Sequence, residues 1–247
     1  MLPGTMDTEH LNAALLGPAS LLAAVQQVRG AAIREQSMSN FGRMIEAHLL
    51  ATGLISSTLT AVQGKLKSFD AKEAHREALV ASFVVGESLC HDGIMRGQYL
   101  QASALVRQEL ETLAALREIA GGRRKDGLPP QVSVLEPSMR RLYGGLSDAA
   151  HVGREWVVTQ ATRAIAPWVD MPAETAITRH YPEFDETTGR RLFALHIFLM
   201  LNMAAELAND AVDAHGMSVS EVQREGFDAV LDLLVAEGMM EYVNPPP

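Results

Sequence analysis

The chain has 247 residues, 47% of them hydrophobic and 21% charged, and a formal net charge of −9. That length buries a sizeable core, and the balance excludes collagen, bulk disorder and, with Cys90 as the single cysteine, any intramolecular disulfide. The acidic excess argues against a duplex DNA reader, whose affinity comes from phosphate contacts, and the densest basic run, Arg123-Arg124-Lys125, sits beside glycines and reads as a solvated loop.

Aromatics reach only 5%, while Ala, Leu and Met are plentiful, a mixture that favours helices because these side chains lose little entropy there. Asp7 to Arg34 carries a helical pattern with an expected break at Gly17-Pro18, since proline fits a first turn better than a helix middle. Met38 to Leu66 forms a second block, with Phe41, Ile45, Leu49, Thr52 and Ile55 at steps of three and four. Asp70 opens the next helix, with Glu73 three positions on, and this helix runs to about Asp92. Gly93 and Gly97 bracket a short break. A helix then covers Tyr99 to Ala120 and stops at Gly121-Gly122.

Arg123 to Val134 reads as a loop around Pro129-Pro130, and Leu135 to His151 as a helix weakened by Gly144-Gly145. Val157-Val158-Thr159 looks strand-like, but no partner strand is evident, so Trp156 to Ile165 is assigned as helix. Pro167 to Thr187 is irregular. Thr188 to Ala214 is a long helix, apolar nearly all round at its start, which suits the middle of a bundle. Ser218-x-x-Glu221 reads as a capping box for the last helix, ending near Gly238, and Asn244 to Pro247 is a disordered tail. The expected architecture is therefore all-α: a single helical bundle of about seven or eight helices over residues 1–247, with the N-terminal helices of 7–66 as a possible separate layer.

No charged segment precedes an apolar run near the start, since the first basic residue is Arg29. The most apolar stretch, Leu192 to Leu207, is short for a membrane span and holds His196, Asn202 and Glu206. A cytoplasmic chain without a membrane partner is the expectation. There is no Gly-x-x-x-x-Gly-Lys-Ser/Thr phosphate loop, no His-Glu-x-x-His helix, no cysteine pair and no Glu-x-x-His, Glu87 and His91 being four apart. No cofactor and no metal are expected. Cys90 reads as a buried thiol.

Three constellations carry polar chemistry. Arg107 and Glu111 are i,i+4 on one face of their helix, flanking the apolar stripe of Leu105, Val106, Leu110 and Leu113. Ser147 and His151 are again i,i+4, with Tyr143 one turn earlier; a histidine here can act as a general base or bind an anion when protonated. Asn202, Glu206, Asn209 and Asp213 follow at steps of 4, 3 and 4, either the solvated end of a buried helix or oxygen ligands for a cation, and His196 and Asn202 are expected to satisfy each other or nearby carbonyls.

The middle of the chain, Gly97…Leu105-Val106-Arg107-x-x-x-Glu111 followed by Tyr143-x-x-Leu146-Ser147-x-x-x-His151, resembles a family of bacterial helical proteins without a firmly assigned activity. The helical core of that family is similar to HEPN domains, small bundles often found as dimers in toxin, defence and RNA-processing systems. The resemblance implies a HEPN-like core and a homodimer. It also raises a metal-independent endoribonuclease, because HEPN nucleases use an Arg-x(4–6)-His motif and that spacing occurs at Arg43/His48, Arg190/His196 and Arg191/His196. The residue after the arginine is Met44 or Arg191 here, where HEPN nucleases carry Asn or Asp.

Three functions follow as expectations. The preferred one is a helical interaction or regulatory module of a bacterial defence or stress system, with Arg107, Glu111, Tyr143, Ser147 and His151 clustered between helices. The alternatives are the endoribonuclease, acting on RNA through His151 or His196, and a bundle binding a small acidic ligand with Arg107 as anchor.

Overall fold

The structure is a computed structural model and describes residues 8–64, 70–150, 158, 162–164, 177–178 and 180–241. Among these residues the chain is all-helical: α1 Thr8–Asn40, α2 Met44–Val62, α3 Ala71–Met95, α4 Tyr99–Ala120, α5 Pro137–Ala150, α6 Glu186–His215 and α7 Glu221–Ala236. A 3-10 turn, Val132–Val134, enters α5. The one extended feature is an antiparallel ladder of two residues each, Arg163 opposite Thr178 and Ala164 opposite Ile177.

α6 is the axis of the bundle. Its N-cap Asp185 accepts from the Thr188 amide at 2.9 Å, and its far end closes on Gly216 in the left-handed region. Phe193, Ile197, Met200 and Met203 on it are fully buried. α2, α3 and α4 pack around it, α7 lies mainly against α2, and α5 against α4. The helix expected over Thr188 to Ala214 is therefore present and central, as its nearly continuous apolar surface required.

Several boundaries differ from expectation for identifiable reasons. α1 runs through Pro18 without a break. Proline removes one backbone bond, to the carbonyl of Ala14, and that turn is exposed, so water can satisfy the freed oxygen. The block over Met38 to Leu66 divides at Phe41-Gly42-Arg43, where Gly42 has φ 55°. A Cβ there would lie 2.6 Å from the Glu237 carboxylate, so both the turn and the close approach of that side chain require glycine. The Asp70 cap is present, bonding the Glu73 amide at 2.9 Å.

The last helix is capped two residues later than expected. Ser220 and Gln223 form the reciprocal box, and the Gln223 amide group also donates to Thr58 Oγ1 on α2 at 3.1 Å. That tertiary bond selects Ser220 over Ser218. Within 156–165 only Val158, Thr162, Arg163 and Ala164 are described; the first two are helical and the last two form the ladder, whose partner strand lies in the stretch expected to be irregular. The tail at 244–247 lies outside the described residues.

The expectation of a cytoplasmic chain with no membrane partner is overturned. Three helices, α2, α3 and α6, are long and apolar enough to cross a membrane, with mean hydropathy of 1.3, 1.3 and 1.5 in their best windows. The apolar stretch of Leu192 to Leu207 looked short only because α6 extends beyond it to 30 residues. The α6 window is 61% buried inside the bundle, whereas those of α2 and α3 are 33% buried, leaving Leu49, Val85 and Leu89 exposed.

Glu237, just past α7, ties three elements together. Its carboxylate accepts from the Arg43 amide at 2.7 Å and from Arg190 Nη2 at 2.8 Å. The Arg190 bond, then the Arg43 amide, hold its carboxyl below the ordinary range. A lowered folded-state pKa contributes stability above the unfolded value of about 4.3, and that contribution disappears as the pH falls through the folded value. Thermal melts of wild type and Glu237→Gln across a pH series should therefore differ by a constant amount from neutrality to about pH 5 and converge in stronger acid. A difference independent of pH would contradict this role.

Candidate functional site

Three of the five expected site residues converge. Arg107 on α4 donates to Glu111 Oε1 from Nε at 3.1 Å and from Nη2 at 2.8 Å, and Nη2 also donates to the Tyr143 hydroxyl of α5 at 3.0 Å. That hydroxyl donates in turn to Glu111 Oε1 at 2.8 Å, closing a triangle. The guanidinium carbon lies 5.2 Å from the Tyr143 ring centroid, a cation–π approach.

Burial opposes charge on Arg107, but the bonds from Tyr143 and Glu111 outweigh it and raise its pKa. Burial and the Glu111 carboxylate raise that of Tyr143 as well, against the opposing pull of Arg107. The phenol is thus a neutral donor, not a base. Ser147 lies one turn on along α5, half-buried, and no hydrogen bond joins it to the other three among the described residues. His151 lies outside the described residues. Among the described residues the triangle locks α5 onto α4.

The polar stripe of α6 is engaged in its first half. Arg117 of α4 donates to Glu206 Oε1 at 3.0 Å, Glu136 Oε2 at 2.7 Å and Asn202 Oδ1 at 3.2 Å. Arg76 of α3 reaches Asp210 at 3.3 Å and the Glu206 carbonyl at 3.0 Å. The Asn202 and Glu206 half of the stripe is therefore clamped by arginine between helices, whereas Asn209 and Asp213 are exposed, as the solvated end of a buried helix would be. Asn202 donates to the Phe198 carbonyl at 2.8 Å and does not pair with His196.

None of the Arg-x(4–6)-His spacings makes a surface pair. The Arg43 side chain turns to Glu46 at 3.4 Å, and Arg190 is held by the Asn40 carbonyl at 2.7 Å and by Glu237. His48 and His196 lie in the core. Arg191 lines a cleft of about 650 Å³ with Tyr99, His180 and Tyr181, at the N-terminal ends of α4 and α6. Its lining reaches Ser103 of α4 and Ala149 of α5 but does not include Arg107, and Glu183 and Asp185 on its wall offset the charge of Arg191.

The chemistry that sequence reasoning missed lies in the interior. Four helices deliver polar groups to one level: His48 from α2, Glu87, Cys90 and His91 from α3, Glu109 from α4 and His196 from α6. His196 is fully buried, and its Nδ1 lies 2.9 Å from the Glu109 carboxylate. His48 Nε2 lies 2.8 Å from Glu87 Oε1. The His48 ring stacks on His91 at 4.4 Å and lies 5.5 Å from the His196 ring. Cys90 is buried, as expected. One signal was available for Glu109: it interrupts the run Ala102, Val106, Leu110, Leu113 on the core face of α4. The other partners come together only through long-range packing of α2, α3 and α6.

No protein-family model, curated protein or solved structure matches the chain, so the reading of the site rests on its geometry.

The Arg107 triangle carries a stability prediction. Arg107→Ala leaves a half-buried carboxylate and phenol without their cation and should cost roughly 1–3 kcal/mol in chemical unfolding. Arg107→Lys should restore little, because an ammonium lacks the planar fork that serves Glu111 and Tyr143 together. An Arg107→Ala protein as stable as wild type would contradict the lock.

Proposed function

We propose that the chain is a helical interaction module that self-associates through α1. One observation carries this reading: from Ala14 to Arg29 every residue of α1 is exposed except the half-buried Val25. Leu15, Leu16, Leu21 and Val28 are between 61% and 69% exposed. An isolated helix with such a surface is marginal in water and calls for a cover.

The occupant that fits is a second copy of the same helix. Between Asn12 and Val28 the sequence has no charged residue, so pairing two copies buries apolar surface without burying a charge. Leu15 and Leu22, and likewise Leu21 and Val28, are seven residues apart and share one stripe. Ala14, Gly17, Ala19 and Ala23 keep the rest of the surface small enough for close approach. A two-fold antiparallel pairing repeats each contact and closes the assembly as a dimer. The Arg107 triangle, which braces α5 against α4, supports the reading of the bundle as a rigid scaffold for that helix.

Molar mass by light scattering should give a dimer for wild type and a monomer for Leu21→Glu/Val28→Glu. Circular dichroism of the two should match, because both side chains lie outside the core. A monomeric wild type, or a variant that stays dimeric, would refute the assignment.

A further inference from the structure

We propose that His48, Glu87 and His196 form a binding site for one divalent transition-metal ion of the zinc class, with Glu109 orienting His196. One donor atom from each of the three lies within 4.8 Å of the other two. Metal–ligand lengths near 2.1 Å in a tetrahedral site place neighbouring donor atoms about 3.4 Å apart, so His48 Nε2 and Glu87 Oε1, 2.8 Å apart, would separate by about half an ångström around an ion. His48 Nε2 is buried and makes no well-aligned hydrogen bond among the described residues, its contact with Glu87 being a close ion pair. The donor atoms of the two, with one from His196, lie near enough together to be gathered around a common ion.

The second observation is independent. His196 is fully buried, and its Nε2 has no hydrogen-bond partner among the described residues. Leaving such a group unsatisfied costs roughly 1–3 kcal/mol. Its other nitrogen is held by Glu109 at 2.9 Å. A carboxylate on one imidazole nitrogen sets the tautomer and leaves the other nitrogen for a metal, an arrangement that recurs behind metal-ligating histidines. Glu109 is thus a positioning residue.

The donor set decides the ion class. Two imidazoles and one carboxylate suit zinc and its first-row neighbours better than calcium or magnesium, which prefer oxygen-rich cages. Three protein ligands leave a further position, and the His91 ring stacked on His48 borders the site. Cys90 also converges on Glu109 and His196, but it does so beside the carboxylate that occupies Nδ1, so it is assigned no ligand role. The three ligands come from α2, α3 and α6, the helices long and apolar enough to cross a membrane, where ionisable side chains face inward and take partners.

The test uses the full chain, stripped with a chelator and titrated first with Co2+ and then with Zn2+. Wild type should take up about one equivalent of Co2+ with visible ligand-field bands, lose them to Zn2+, and melt at a higher temperature with Zn2+ present. Glu87→Gln and His196→Gln should each abolish the bands, and Glu109→Gln should weaken binding about 10–100-fold while leaving the three ligands in place. Glu87 is partly exposed, so its variant tests the site even if His196→Gln does not fold. Cys90→Ser should leave uptake and spectrum unchanged. A folded wild type that retains neither ion overturns the site, as does a Glu87→Gln protein that binds like wild type. A thiolate charge-transfer band lost in Cys90→Ser overturns the ligand assignment.

Discussion

A carboxylate and an imidazole 2.9 Å apart, both buried in the core, set the terms for the interior of this bundle. Glu109 and His196 sit on α4 and α6, the two helices against which most others pack. Sliding either helix by one residue would strand both groups in an apolar core, where an unpaired charge costs several kcal/mol. The pair therefore fixes one register out of those that a surface of Leu, Met and Ala would allow. It also fixes the ring of His196, one nitrogen of which lies within 4.8 Å of donor atoms on His48 and Glu87. The interior polar cluster and the alignment of the central helices are two consequences of the same contact.

Around this centre, arginines do the joining. Arg76, Arg107, Arg117 and Arg190 each bridge one helix to another or brace a pair, and each meets a carboxylate at 3.3 Å or less. The planar fork of arginine serves two or three acceptors at once, as Arg117 does with Glu136, Glu206 and Asn202. The cations so consumed are unavailable to an outside anion. This explains in physical terms why a chain with 21 basic side chains and a net charge of −9 presents these arginines inward.

Much of the fold was legible because helix ends are written in local chemistry. Asp70, Tyr99 and Gly121 mark boundaries that the structure keeps, since capping and glycine stops act within a few residues. The failures have a common origin in tertiary context. Pro18 stays inside α1 because its turn is exposed. Ser220 caps α7 because Gln223 reaches Thr58 on a distant helix. The Arg107–Glu111 pair was readable from its spacing, and Tyr143 joined it as expected. The interior cluster was not, because His48, Glu87 and His196 are far apart in sequence and meet only when three helices pack. His196 was visible as a polar group in the most apolar stretch, and Glu109 could have been read as an acid on the buried face of α4, but not their convergence.

The most direct measurement is a double-mutant cycle across Glu109 and His196, read by chemical unfolding. Each single change, Glu109→Leu or His196→Phe, leaves its partner buried and unpaired and should cost about 3–5 kcal/mol. The double variant should cost no more than either single, giving a coupling of about 3 kcal/mol or more. Costs that simply add would show that the two groups do not depend on each other, and the account of the bundle's centre would fall.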